Sequence, residues 1–75
     1  MNSAHIIRNA DDTLTATHED GRQVTDGLKH VITEMRTWGV DISNVTMPDD
    51  GEPGCLRGFQ YTQLYACLKR IDGGS

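Results

Sequence analysis

The spacing of apolar and polar positions changes along the chain, and each change predicts an element. Ala4 to Arg8 is short and carries two β-branched residues, Ile6 and Ile7. Asn9-Ala10-Asp11-Asp12 supplies turn residues, and Thr13 to His18 then alternates threonine with Leu14, Ala16 and His18. A strand, a turn and a second strand follow. With residues 9–12 as a four-residue loop, Ile7 lies opposite Leu14 and His5 opposite Ala16, which predicts a core face of Ile7, Leu14 and Ala16 and leaves Ile6 with the threonines on the other face. Asp20-Gly21, within Glu19-Asp20-Gly21-Arg22, marks another tight turn, and Gln23-Val24 begins a third strand. A strict two-residue turn would pair Val24 with Thr17 on the face away from Leu14, so either this turn holds an extra bulged residue or the third strand is very short.

From Thr25 or Asp26, both acceptable helix caps, the period becomes helical. Leu28, Val31, Ile32, Met35 and Trp38 form an apolar stripe, with Lys29, His30, Thr33, Glu34, Arg36 and Thr37 opposite. Gly39 fits the left-handed residue that ends such a helix, and Arg36 suits its negative end. Val40 to Met47 is β-prone but weakly alternating, consistent with a short strand. After the stretch Pro48 to Gly58, read as a solvated acidic hinge, Tyr61, Leu64, Tyr65, Leu68 and Ile71 share a second helical stripe opposite Thr62, Gln63, Ala66, Lys69 and Arg70. This stripe predicts that both tyrosines are buried, and Gly73-Gly74 marks the helix end. The fold class that results is α+β: a short antiparallel hairpin or three-strand meander packed against two amphipathic helices, in one domain spanning residues 1–75.

Composition narrows what such a domain can do. At 75 residues, 36% apolar and 24% charged, it folds with little margin, so a disulfide, a metal or a second subunit would help it. Cys55 and Cys67 can form one bridge but no framework. The start MNSAHIIRNADD lacks the pattern of a secretory signal, and no apolar run reaches the roughly 20 residues that span a bilayer, so a cytoplasmic protein with free thiols and no membrane contact is expected. A homodimer is the expected way to cover the surface that two helices leave open.

The net charge is −4, with −2 over residues 1–25 (two basic, four acidic), −3 over 26–50 (two basic, five acidic) and +1 over 51–75 (three basic, two acidic). Nucleic-acid affinity comes largely from Lys and Arg, so this balance disfavours such a ligand and favours a protein partner with a basic or neutral surface.

Candidate chemistry is sparse. Asp49, Asp50 and Glu52 lack the spacing of a calcium loop. Cys55 would need a histidine close enough to take its proton, and nothing local selects His5, His18 or His30. No close Cys or His pair has zinc-ligand spacing, although the expected hairpin register sets His5 diagonally across from His18. Phosphate-cradling, dinucleotide, serine-elbow and zinc-protease motifs are absent from the sequence, and no cofactor is implied.

The reading is therefore a small acidic non-enzymatic protein-binding module, a regulator or inhibitor that occludes a partner surface. Trp38, which closes the first helical stripe and is expected to cap the core, serves also as the interface anchor, and Glu19, Asp20, Asp49, Asp50 and Glu52 serve as rim charges. The alternatives are a dimeric DNA-binding regulator using Arg57, Lys69 and Arg70, and an enzyme with Cys55 as nucleophile.

Overall fold

The computed structural model describes residues 3–69. The elements are β1 (Ala4–Arg8), β2 (Leu14–His18), β3 (Gln23–Asp26), α1 (Leu28–Thr37), a 3₁₀ turn (Ile42–Asn44), β4 (Val45–Thr46) and α2 (Gly58–Leu68). The fold is α+β: a four-stranded sheet in the order β3-β2-β1-β4 with both helices packed against it. Arg70, Ile71 and Gly73-Gly74, invoked for the end of the second helix, lie outside the described residues.

The first hairpin corrects the expected register by one residue. Asn9 and Thr13 pair through Asn9 N–H to Thr13 C=O at 2.7 Å, so the loop is Ala10-Asp11-Asp12, three residues and not four. Asp12 supplies the left-handed conformation (φ 70°) that a three-residue loop needs. Ile6 consequently faces Ala16, Arg8 faces Leu14 and His5 faces Thr17. A one-residue slip exchanges the two faces of a strand. Ile6, not Ile7, is buried with Ala4, Leu14, Ala16 and His18 beneath the helices, while Ile7 is half-buried on the other face.

The second turn resolves the choice left by the sequence in favour of the extra residue. His18 N–H donates to Arg22 C=O at 2.7 Å and Gly21 has φ 102°, so Val24 pairs with Ala16 on the helix-covered face. The open face is polar. Thr15 and Thr25 hydroxyls bond at 2.9 Å, Gln23 donates to Thr17, and Asn9 donates to Thr13 and Thr15.

Gly27, not Thr25 or Asp26, is the N-cap of α1, since those two residues close β3. The helix ends as expected. Gly39 has φ 78°, and the bonds Gly39 N–H to Arg36 C=O and Val40 N–H to Met35 C=O make a Schellman motif. The chain then returns so that β4 runs parallel to β1, Ala4 beside Val45 and His5 beside Thr46. β4 stops there because Pro48 has no N–H to continue a ladder.

α2 buries Gln60, Leu64 and Leu68, while Phe59, Tyr61 and Tyr65 are 62%, 44% and 41% exposed. The expected tyrosine stripe is thus overturned at its edges: Leu64 and Leu68 stay buried, while Tyr61 and Tyr65 turn outward on one side and Gln60 turns inward on the other. Gln60 is buried because it is satisfied. Its Oε1 accepts Arg57 N–H at 3.0 Å, and its Nε2 lies 3.5 Å from Asp12 C=O.

Candidate functional site

The sheet register decides which of the sequence-selected residues can act together. Glu19 and Asp20 sit in the β2–β3 turn, beside His18 and therefore at the Ala4 end of β1. Asp49, Asp50 and Glu52 lie in the loop that reaches the other end of β1, where Gly54 C=O accepts Arg8 N–H at 2.8 Å and Arg8 Nε donates to Cys55 C=O at 3.0 Å. Five strand residues separate the two groups, about 15 Å. No continuous acidic rim joins them.

The two groups also differ in what their carboxylates do. Glu19 Oε1 accepts both the N–H and the hydroxyl of Ser3, at 2.7 and 2.8 Å, and these bonds hold its carboxyl below the usual range. Asp20 accepts Arg22 N–H and Arg22 Nε, the backbone bond being the larger cause of its lowered pKa. Asp20 thus braces its own turn, and Glu19 ties that turn to Ser3 ahead of β1. In the other group Glu52 Oε1 accepts Asp49 N–H at 3.1 Å, and among the described residues none of Asp49, Asp50 and Glu52 forms an ion pair.

Trp38 is a core residue, 8% exposed. The His18 ring meets it edge-to-face at 5.6 Å, and the Arg22 guanidinium lies 5.6 Å from its ring centre. The indole therefore fastens α1 to the β2–β3 turn and offers little surface to a partner. His18 is buried. Its Nδ1 accepts Asp20 N–H at 3.1 Å, and its Nε2 has no hydrogen-bond partner among the described residues. His5, on the opposite face, bonds Thr46 through Nδ1 at 2.8 Å, so the diagonal pairing of the two histidines is not formed. Among the described residues no group of three or more His, Cys, Asp or Glu side chains is arranged to hold a metal ion.

The stretch read as a hinge is two successive turns pinned to β1. Glu52 N–H returns to Asp49 C=O and Cys55 N–H to Glu52 C=O, with Gly51 (φ 89°) and Gly54 (φ 86°) in left-handed conformations. Its anchored end and the start of α2 enclose a recess of about 290 Å³. Met47, Pro48 and Leu56 give it apolar walls, Cys55 lines it, and Asp50 and Tyr61 stand at opposite contributing segments. No histidine lines this recess, so Cys55 has no imidazole beside it there. Tyr65 continues the surface along α2, its ring centre 6.1 Å from that of Tyr61, with Lys69 Nζ 5.7 Å from the Tyr65 ring centre.

The alternative cation set is divided. Arg57 Nε donates to Asp12 Oδ1 at 3.2 Å, Lys69 lies on Tyr65, and Arg70 is outside the described residues. The recess escaped sequence reasoning because it depends on the phase of α2. The available signal was the i, i+4 series Leu56, Gln60, Leu64, Leu68, which a buried glutamine interrupts.

Comparison of the chain with protein-family models, curated protein sequences and solved structures returns no match. Among the described residues no helix is long and apolar enough to cross a membrane.

Proposed function

We propose that the chain is a non-enzymatic protein-binding module whose working surface is the recess between the 48–58 loop and α2. The observation that carries this reading is an apolar recess lined by Asp50 and Tyr61, with Asp49 and Glu52 in the same loop and exposed Tyr65 adjoining Tyr61, the three carboxylates forming no ion pair among the described residues. Tyrosine contributes large, rigid contact area at low entropic cost and is enriched at interface anchors. The carboxylates favour a partner segment that places Lys or Arg beside an apolar side chain, and they speed its approach at low salt. Binding occludes that segment, which is how a small regulator or inhibitor acts. Relative to the sequence reading, Tyr61 and Tyr65 replace Trp38 as anchors, and Glu19 and Asp20 leave the contact surface.

The test begins with affinity capture from the native cell and measures the recovered partner's affinity against salt concentration. Substituting Asp49→Asn, Asp50→Asn and Glu52→Gln together weakens binding and flattens its salt dependence. Tyr61→Ala weakens binding without changing that slope, and Glu19→Gln with Asp20→Asn leaves affinity as it was. Equal affinity in the triple variant and the wild type refutes this surface.

A further inference from the structure

A second surface, independent of the recess, runs between the two helices. Leu28, Lys29, Ile32 and Thr33 from α1 and Gln63 and Cys67 from α2 line an open groove of about 450 Å³. Arg36 and Cys67 also line a second hollow, so the depression continues past the end of α1 to Val40 and Leu68. Its floor is apolar: Ile32, Val40 and Leu68 are buried members of the core whose outer edges it exposes.

The groove is rimmed by cations in a protein whose net charge is −4. Lys29 and Arg36 stand on its α1 wall, and among the described residues neither forms an ion pair. Lys69 borders the far hollow, where Asp41 is the one acidic lining residue among those described. Lys29 and Arg36 are seven residues apart on one helix, two turns or about 10.5 Å along its axis. Charge of this sign at this spacing over an apolar floor selects the occupant.

We propose that the groove is a docking site for an acidic amphipathic helix of a partner protein. A helix laid along it as a third member would bury apolar side chains on Leu28 and Ile32 and set two carboxylates, themselves about seven residues apart, against Lys29 and Arg36. A fatty acid has one head group and would meet one cation of the two. A second copy docked through the same face would set Lys29 and Arg36 against their own counterparts, like charge against like.

The test uses the full chain and a capped helical peptide with glutamates seven residues apart and leucines between them on the same face. Expected results are saturable binding that weakens with salt, and slower alkylation of Cys67 in the complex while Cys55, outside this groove, reacts at its former rate. Lys29→Glu with Arg36→Glu lowers affinity for this peptide at least tenfold, and the matching peptide with lysines in place of glutamates regains it on that variant. A variant that had merely unfolded could not show that rescue.

Four outcomes overturn the proposal: no Cys67 protection by the peptide, no charge-swap rescue, protection by oleate but not by the peptide, or a Cys67 that becomes more reactive on deletion of residues 70–75. Because none of these measurements involves Asp50 or Tyr61, their failure leaves the reading of the recess untouched, and failure of the recess variants leaves the groove untouched.

Discussion

Leu64→Ala, compared with Tyr61→Ala and Tyr65→Ala, tests the rotation of α2 on which both surfaces depend. Leu64 is completely buried, so truncating it removes most of a core side chain and leaves a cavity, at a cost of about 3 kcal/mol. A chain of 75 residues has a total stability of about 4–11 kcal/mol, so this single change removes a large share of it. The tyrosines are 44% and 41% exposed, Tyr61 at the recess edge and Tyr65 between Tyr61 and Lys69, so each truncation costs about 1 kcal/mol or less. Had the tyrosine stripe faced the core, the tyrosine variants would each lose about 3–5 kcal/mol, as large buried aromatics do.

Urea unfolding followed by fluorescence separates these cases, because Trp38 is the sole tryptophan and is buried in the folded state. At about 1 kcal/mol per molar urea, Leu64→Ala shifts the midpoint by roughly 3 M and each tyrosine variant by 1 M or less. If Leu64→Ala leaves no folded baseline, Leu64→Val, one methylene smaller, is expected to cost about 1 kcal/mol and keeps the comparison readable. Tyrosine variants as damaging as Leu64→Ala would refute the helix phase, and with it the placement of Tyr61 at the recess.

Two further outcomes follow from the loops. Gly54→Ala forces a side chain into a left-handed conformation (φ 86°); its added methyl would lie 3.5 Å from Ile7 Cβ, an ordinary contact, so strain alone lowers stability by about 1–2 kcal/mol. The melting temperature should fall by at least about 4 °C and Cys55 should alkylate faster as the loop loosens from β1, and an unchanged Tm would refute the pinned loop. Asp12 is held below its usual pKa by the Arg57 hydrogen bond first and by Arg8 second, Asp11 by Thr13, Glu19 by Ser3 and Asp20 by Arg22. A folded-state pKa below the unfolded one gives stabilisation that is complete above the unfolded value and is lost as pH falls from there through the folded value. The stability these carboxylates contribute should therefore be lost below about pH 4, and that acid decline in Tm should be less steep in Asp12→Asn; equal acid slopes would remove Asp12 as a contributor.

The elements were readable in the chain and their phases were not. Alternation in Thr13 to His18 and the Leu28 to Trp38 stripe identify a strand and a helix because one face of each is buried by apolar residues at the element's own period. The hairpin register hung on whether Asn9 belongs to the loop or to the strand. That depends on Asp12 accepting a positive φ, which no hydrophobic pattern encodes. α2 presented two overlapping stripes that share Leu64 and Leu68, and the one completed by Tyr61 and Tyr65 lost to the one completed by Gln60, which finds partners at Arg57 and Asp12. The acidic loop was found as a cluster, but its neighbour Tyr61 was assigned to the core, so the recess could not be assembled from the chain alone.

Both misread phases meet at one place, and that meeting explains why the recess exists. The three-residue hairpin loop turns Ile6 inward and Ile7 outward, and the 48–58 loop then closes over the outward side, with Gly54 beside Ile7 and bonded to Arg8. The same loop geometry positions Asp12, whose carbonyl receives Gln60 and whose carboxylate receives Arg57 and Arg8. Gln60, held there, sets the rotation of α2 and so turns Tyr61 outward beside Pro48 and Leu56. Moving the hairpin by one residue would reverse Ile7 and carry Asp12 away from Gln60, removing the bonds that favour the glutamine over a tyrosine in the core. The shape of the proposed binding surface is thus a consequence of a single left-handed aspartate about 45 residues earlier in the chain.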